Sequence, residues 1–177
     1  MDRKHSNCNR KTNRHFSNRN AKISNRNLSD SIKIEVTQDV IDFLQTINIC
    51  GIEDCGVFTG SKTNNGIYRI SRVSPSCSQK IYASFSGCIR DAKLANDFIH
   101  NDFEHSNHTR AYIGEWHSHP EDIPKPSSID KMAIRKIYES VKSPFDIVLF
   151  AIIGRKHIYW GLYDGAHFSE LKQIDVV

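Results

Sequence analysis

Ile32-Lys-Ile-Glu-Val36 alternates apolar and polar residues, the period of a half-buried strand. From Thr37 the spacing turns helical, with Val40, Phe43, Leu44 and Ile47 on one face. Gly51 to Gly60 and Ile67 to Val73 read as two strands joined through a turn at Asn65-Gly66. Helical spacing returns from Ile89 to about Glu104, where Leu94, Ala95, Phe98, Ile99 and Phe103 form the apolar stripe. Arg110 to His119 is a central strand. Ser127 to Val141 is a helix expected to bury Ile129, Ala133, Ile137 and Val141, with Lys131, Arg135, Lys136 and Glu139 in water. After Pro144, Asp146 to Ile153 is an almost unbroken apolar run, as in a strand covered on both faces. Gly154 turns the chain into His157 to Tyr163, and Asp164-Gly165 marks a hairpin before the last strand. Strand, helix, hairpin, helix, strand, helix and three strands predict an α/β domain, a mixed, largely antiparallel sheet flanked by helices.

Charge divides the 177 residues unevenly. Residues 1–30 hold eight Lys or Arg against two Asp, a local +6; the whole chain is +4, so the remainder carries −2. The first stretch is rich in Asn and Ser, repeats Ser-Asn-Arg-Asn at 17–20 and 24–27, and has almost no apolar residues. It cannot bury enough surface to offset its ordering entropy and reads as a disordered basic tail ahead of one domain over 31–177. The folded part offers no nucleic-acid surface, and only the tail could touch an acidic partner. No apolar run is long enough to cross a bilayer, and no signal-peptide core is present. Five cysteines, an odd number without paired spacing, argue against a disulfide framework and for a reducing cytoplasm.

The chemistry concentrates in Gly114 to Asp130, which reads G-E-W-H-S-H-P-E-D-I-P-K-P-S-S-I-D. His117 and His119 lie two apart on a strand, so both rings project to one face. Pro120 stops the strand, and Pro124 and Pro126 keep the loop extended. Ser127 opens the next helix with Asp130 one turn in, a spacing that alone describes a capping box. A loop of this length can bring Asp130 back onto the histidines. His117, His119 and Asp130 would then be three ligands with a fourth position open, as in catalytic rather than structural zinc sites. There is no H-E-x-x-H helix, and no P-C-x-x-C of the kind zinc deaminases use. Cys50 and Cys55 have the wrong spacing for a zinc knuckle.

His-x-His, seven residues, Ser, two residues and Asp resembles the motif of JAMM metalloproteases, the catalytic branch of the JAB/MPN domain. The resemblance covers roughly residues 32 to 172 and implies a JAB/MPN-type, cytidine-deaminase-like fold. It implies Zn²⁺ on His117, His119 and Asp130. Two glutamates compete as the base. Glu115 shares the strand face of His117 but is displaced along the strand. Glu53 lies in E-D-C-G-V-F-T-G, similar to the Glu-x-x-Gly-x-x-x-Gly stretch that carries the catalytic glutamate of bacterial JAB proteins, and is the preferred choice. Ser127 is expected to donate to the developing oxyanion. Trp116 and Ser118 point away as packing residues, and Glu121 and Asp122 read as a solvated loop.

The proline-rich form of the motif resembles a compact bacterial group encoded beside E1- and E2-like proteins in antiviral operons. It implies an isopeptidase that cleaves after the C-terminus of a ubiquitin-like protein or a cGAS-like nucleotidyltransferase conjugated to lysine. Alternatives are a JAB peptidase trimming a sulfur-carrier protein and a non-catalytic MPN-like binding module. A RadC-like role with DNA fits less well, because only the tail is basic.

Overall fold

The computed structural model describes residues 32–49, 52–79 and 88–177, so the basic stretch over 1–30 lies outside the described residues. Its elements are β1 (Ile34–Val36), α1 (Gln38–Gln45), β2 (Cys55–Lys62), β3 (Tyr68–Val73), α2 (Ala92–His105), β4 (Ala111–Ser118), α3 (Ser128–Ser140), β5 (Val148–Ile153), β6 (Ile158–Tyr163), β7 (Phe168–Glu170) and β8 (Asp175–Val176). The strands form one mixed sheet in the order β7-β6-β5-β4-β2-β3-β1-β8. Four of its seven pairings are antiparallel and three parallel. The expected order of elements is present. The addition is β8, whose two residues are too few to show a period.

β5 is buried along its whole length because both faces are covered. Leu149, Ala151 and Ile153 pack with Val40 and Leu44 of α1, while Val148, Phe150 and Ile152 pack with Ile134 of α3. α2 closes the α3 side of the sheet over β2 and β4, where Ala95 meets Val57 and Tyr112. None of the described helices is long and apolar enough to cross a membrane.

Two helical faces differ from expectation. In α3 the buried residue is Ile134; Ile129 is 62% exposed, Ala133 is exposed, and Ile137 and Val141 are half-buried. In α2, Leu94 is exposed and Asp102 is buried in the stripe instead. Asp102 is held there by Arg110, whose Nη2 and Nε donate to it at 2.6 and 2.9 Å, and by the Thr59 hydroxyl at 2.5 Å. A charge with three donors can occupy a position that periodicity assigns to an apolar side chain.

The cysteine reading is corrected too. Cys55 and Cys88 form a disulfide, with Cα atoms 6.2 Å apart and a sequence separation of 33. A pairing at that separation leaves no local spacing to read, and the cysteine count gives no argument about compartment.

Candidate metal centre

β4 carries the site because it lies between parallel β5 and antiparallel β2, which fix its register on both sides. His117 pairs with Ile152 on one side and Cys55 on the other. Trp116 and Ser118 are buried, facing away from the histidines as expected. His119 lies just past the strand, its N–H donating to the Ile153 carbonyl at 2.9 Å. Ser118 also places Glu53. Its N–H donates to the Asp54 carbonyl at 2.9 Å, and its hydroxyl accepts from the Asp54 N–H at 2.8 Å. Glu53, one residue earlier, reaches within 4.0 Å of His119 Nε2. Gly56, three residues on, lies under the Trp116 indole, where a Cβ would be 2.5 Å from Nε1.

The far side of the site comes from the start of α3. Ser127 caps the helix, its Oγ accepting from the Asp130 N–H at 3.2 Å, while its own N–H donates to Asp130 Oδ2 at 2.7 Å. The reciprocal cap fixes the Asp130 carboxylate and leaves Oδ1 3.4 Å from His117 Nε2. The two His Nε2 atoms are 3.1 Å apart, and Asp130 Oδ2 is 3.7 Å from His119 Nε2. Two ligands held at zinc-ligand distances in a tetrahedron are about 3.3 Å apart. The two histidine nitrogens lie close to that spacing, the two Asp130 oxygens each approach a different one of them, and one ligand atom from each residue lies within 4.8 Å of the others.

Charge states suit a cation as well. Burial and the neighbouring His117 hold His119 below the usual histidine range, keeping a lone pair available. Burial opposes ionisation of Asp130. Hydrogen bonds from His117 and Ser127 and the His117 charge outweigh it and hold the carboxyl far below its ordinary value. Two imidazoles and one carboxylate make a donor set suited to zinc with a position left open.

A cleft of about 660 Å³ opens over these groups, walled by Ile129, Ala133 and Ile137 from α3 and by Cys88, Ile89 and Arg90 from the segment entering α2. The exposed apolar residues of α3 therefore line a groove beside the site. Glu115 is also in the cleft wall, but Arg90 donates to its carboxylate, as does the Tyr112 hydroxyl at 2.5 Å. Arg90 was not singled out by sequence; a lone Arg ahead of a helix carries no local signal, and its partner lies 25 residues away. Asp122, expected to be solvated, forms ion pairs with Lys156 and Arg155. His100, His105 and His108 are exposed.

The family model describing prokaryotic homologs of the JAB domain matches residues 49–163. The chain belongs to this family. Similarity to curated proteins covers a smaller part of the chain than this JAB match. A protein named CD-NTase/cGAS isopeptidase from Vibrio cholerae is 36% identical over 77 residues, 44% of this chain and 47% of that protein. One of the same name from Escherichia coli is 41% identical over 59 residues, 33% and 35% of the two. The matched part thus spans about half of these relatives' length or less. The solution structure of protein DSY2949 from Desulfitobacterium hafniense shares the fold, with a TM-score of 0.57 at 18% identity over 81% of this chain and 92% of that one.

Proposed function

We propose that this JAB domain is a zinc-dependent isopeptidase. Its substrate is a protein joined through its C-terminus to a lysine: a nucleotidyltransferase of the CD-NTase class or a ubiquitin-like protein. The support is the convergence of His117, His119 and Asp130, with the two histidine nitrogens 3.1 Å apart and one ligand atom from each residue within 4.8 Å of the others. The substrate class rests on the names of the relatives. The catalytic domain is residues 31–177, preceded by the basic stretch 1–30, and it acts in the cytoplasm beside E1- and E2-like proteins that make the conjugates.

When bound, zinc supplies a Lewis acid that lowers the pKa of water to roughly 7. Glu53 takes a proton from the attacking water and returns it to the departing lysine amine. Its burial beside Asp130 and Glu121 raises its carboxyl, with His117 opposing, and among the described residues no hydrogen-bond donor holds it. Ser127 keeps its hydroxyl proton free, because the cap uses its oxygen as an acceptor, and donates that proton to the oxyanion. Glu115 cannot serve as the base while Arg90 and Tyr112 occupy it.

The test measures zinc content and cleavage of a C-terminally extended nucleotidyltransferase or ubiquitin-like protein from the same operon. Glu53→Gln should keep zinc and lose about 10²- to 10⁴-fold in turnover. Glu115→Gln should keep zinc and much of the turnover. A zinc-loaded wild-type protein that leaves every such substrate intact would refute the assignment.

A further inference from the structure

Seven residues separate His119 from Ser127, and nothing within them explains why the loop delivers Ser127 and Asp130 to one place. Among the described residues, Ile123 to Pro126 make no backbone hydrogen bond outside the regular elements. The loop is instead seated on the β5–β6 turn. Arg155 N–H donates to the Glu121 carbonyl at 2.7 Å, and Lys156 and His157 N–H donate to the Asp122 carbonyl at 3.1 and 3.2 Å. Lys156 Nζ lies 2.6 Å from Asp122 Oδ2.

Below these bonds Pro124 is buried against Gly154. A Cβ on Gly154 would stand 2.5 Å from Pro124 Cδ and 2.7 Å from the Glu121 carbonyl oxygen. The second of these is backbone, so the loop could not yield by turning a side chain. Gly154 follows Ile153, whose carbonyl holds the N–H of His119. One short stretch of chain therefore seats both the last histidine and the loop that brings in the carboxylate.

We propose that Gly154 and Pro124 are positioning residues for the metal centre, setting where Ser127 and Asp130 stand relative to His117 and His119. This rests on the zinc reading above. Supports of this kind usually change metal affinity by 10- to 100-fold when altered.

The test titrates the metal-free protein with zinc against a chromophoric chelator and records folding by circular dichroism and thermal melting. Gly154→Ala pushes the loop from its seat, and Pro124→Gly empties the seat from the other side without touching the sheet. Each should weaken zinc binding about 10-fold or more in a folded protein. Gly60→Ala is the control: its Cβ meets the Arg69 carbonyl on β3, away from the loop. It should lower the melting temperature and leave zinc affinity unchanged. Wild-type zinc affinity in a folded Pro124→Gly or Gly154→Ala protein would overturn the proposal and leave the metal assignment standing. A wild-type chain that takes up no zinc would overturn both.

Discussion

Glu53 and Glu115 are both buried, 8% and 7% exposed, and border the same cleft. Their surroundings differ. Glu115 accepts from Arg90 and Tyr112, so its charge is balanced within the fold. Glu53 has His119 at 4.0 Å and, among the described residues, no hydrogen-bond donor. Burial pushes both carboxyls up; hydrogen-bonded Arg90 pulls Glu115 back, while at Glu53 the pull of His117 is countered by Asp130 and Glu121 and the carboxyl stays raised. A buried carboxylate with its own cation is a strut. One with no cation hydrogen-bonded to it has a proton state that an outside partner can set, which is what a proton carrier requires.

The contrast is broken most directly by removing each carboxylate. Glu115→Ala leaves Arg90 unpaired in the wall, and urea unfolding should show a loss of about 3–5 kcal/mol. Glu53→Gln should change stability by less than about 1 kcal/mol, because it removes a charge that, among the described residues, no hydrogen bond holds and only the nearby histidines offset. Equal losses would erase the distinction. Zinc sharpens it. At 100 times its dissociation constant, zinc should stabilise the wild-type chain by about 2.7 kcal/mol in thermal melts. His119→Ala and Asp130→Ala should abolish that gain, and Glu53→Gln should retain it.

The smallest effect concerns Asp102, a second strut. Burial opposes its ionisation, but Arg110 and Thr59 outweigh it and hold its pKa below the ordinary value. Its contribution is therefore complete above the unfolded value of about 3.9 and drains as pH falls from there through the folded pKa. Stability measured from pH 6 to pH 2 should decline over that window, and Asp102→Asn should flatten the decline. An unchanged slope would show that Asp102 is no strut.

The proposed ligands were legible because they lie within fourteen residues, on a strand and a helix whose periods are clear. So were the order of elements and the double burial of Val148 to Ile153. What escaped sequence reasoning depends on distant partners. Periodicity groups Ile129, Ala133 and Ile137 on one side of a helix, but only the packed sheet decides that this side faces a cleft while Ile134 meets the core. The partners of Arg90 and Cys88 lie 25 and 33 residues away, and no local pattern anticipates them. Asp122 is the surface acid expected, but its ion pairs are with a turn more than thirty residues downstream, which no local pattern shows.

The reciprocal cap of α3 joins two roles that are usually counted separately. The carboxylate proposed for the ion accepts from the Ser127 backbone N–H, and the hydroxyl proposed for the oxyanion accepts from the Asp130 backbone N–H. Truncating either removes one bond of the cap, and losing either proposed role stops the same reaction, so replacing Ser127 and Asp130 together should cost less activity than the two single losses combined. A lineage that lost one would face little further penalty for losing the other, and descent toward an inert scaffold should discard them as a pair.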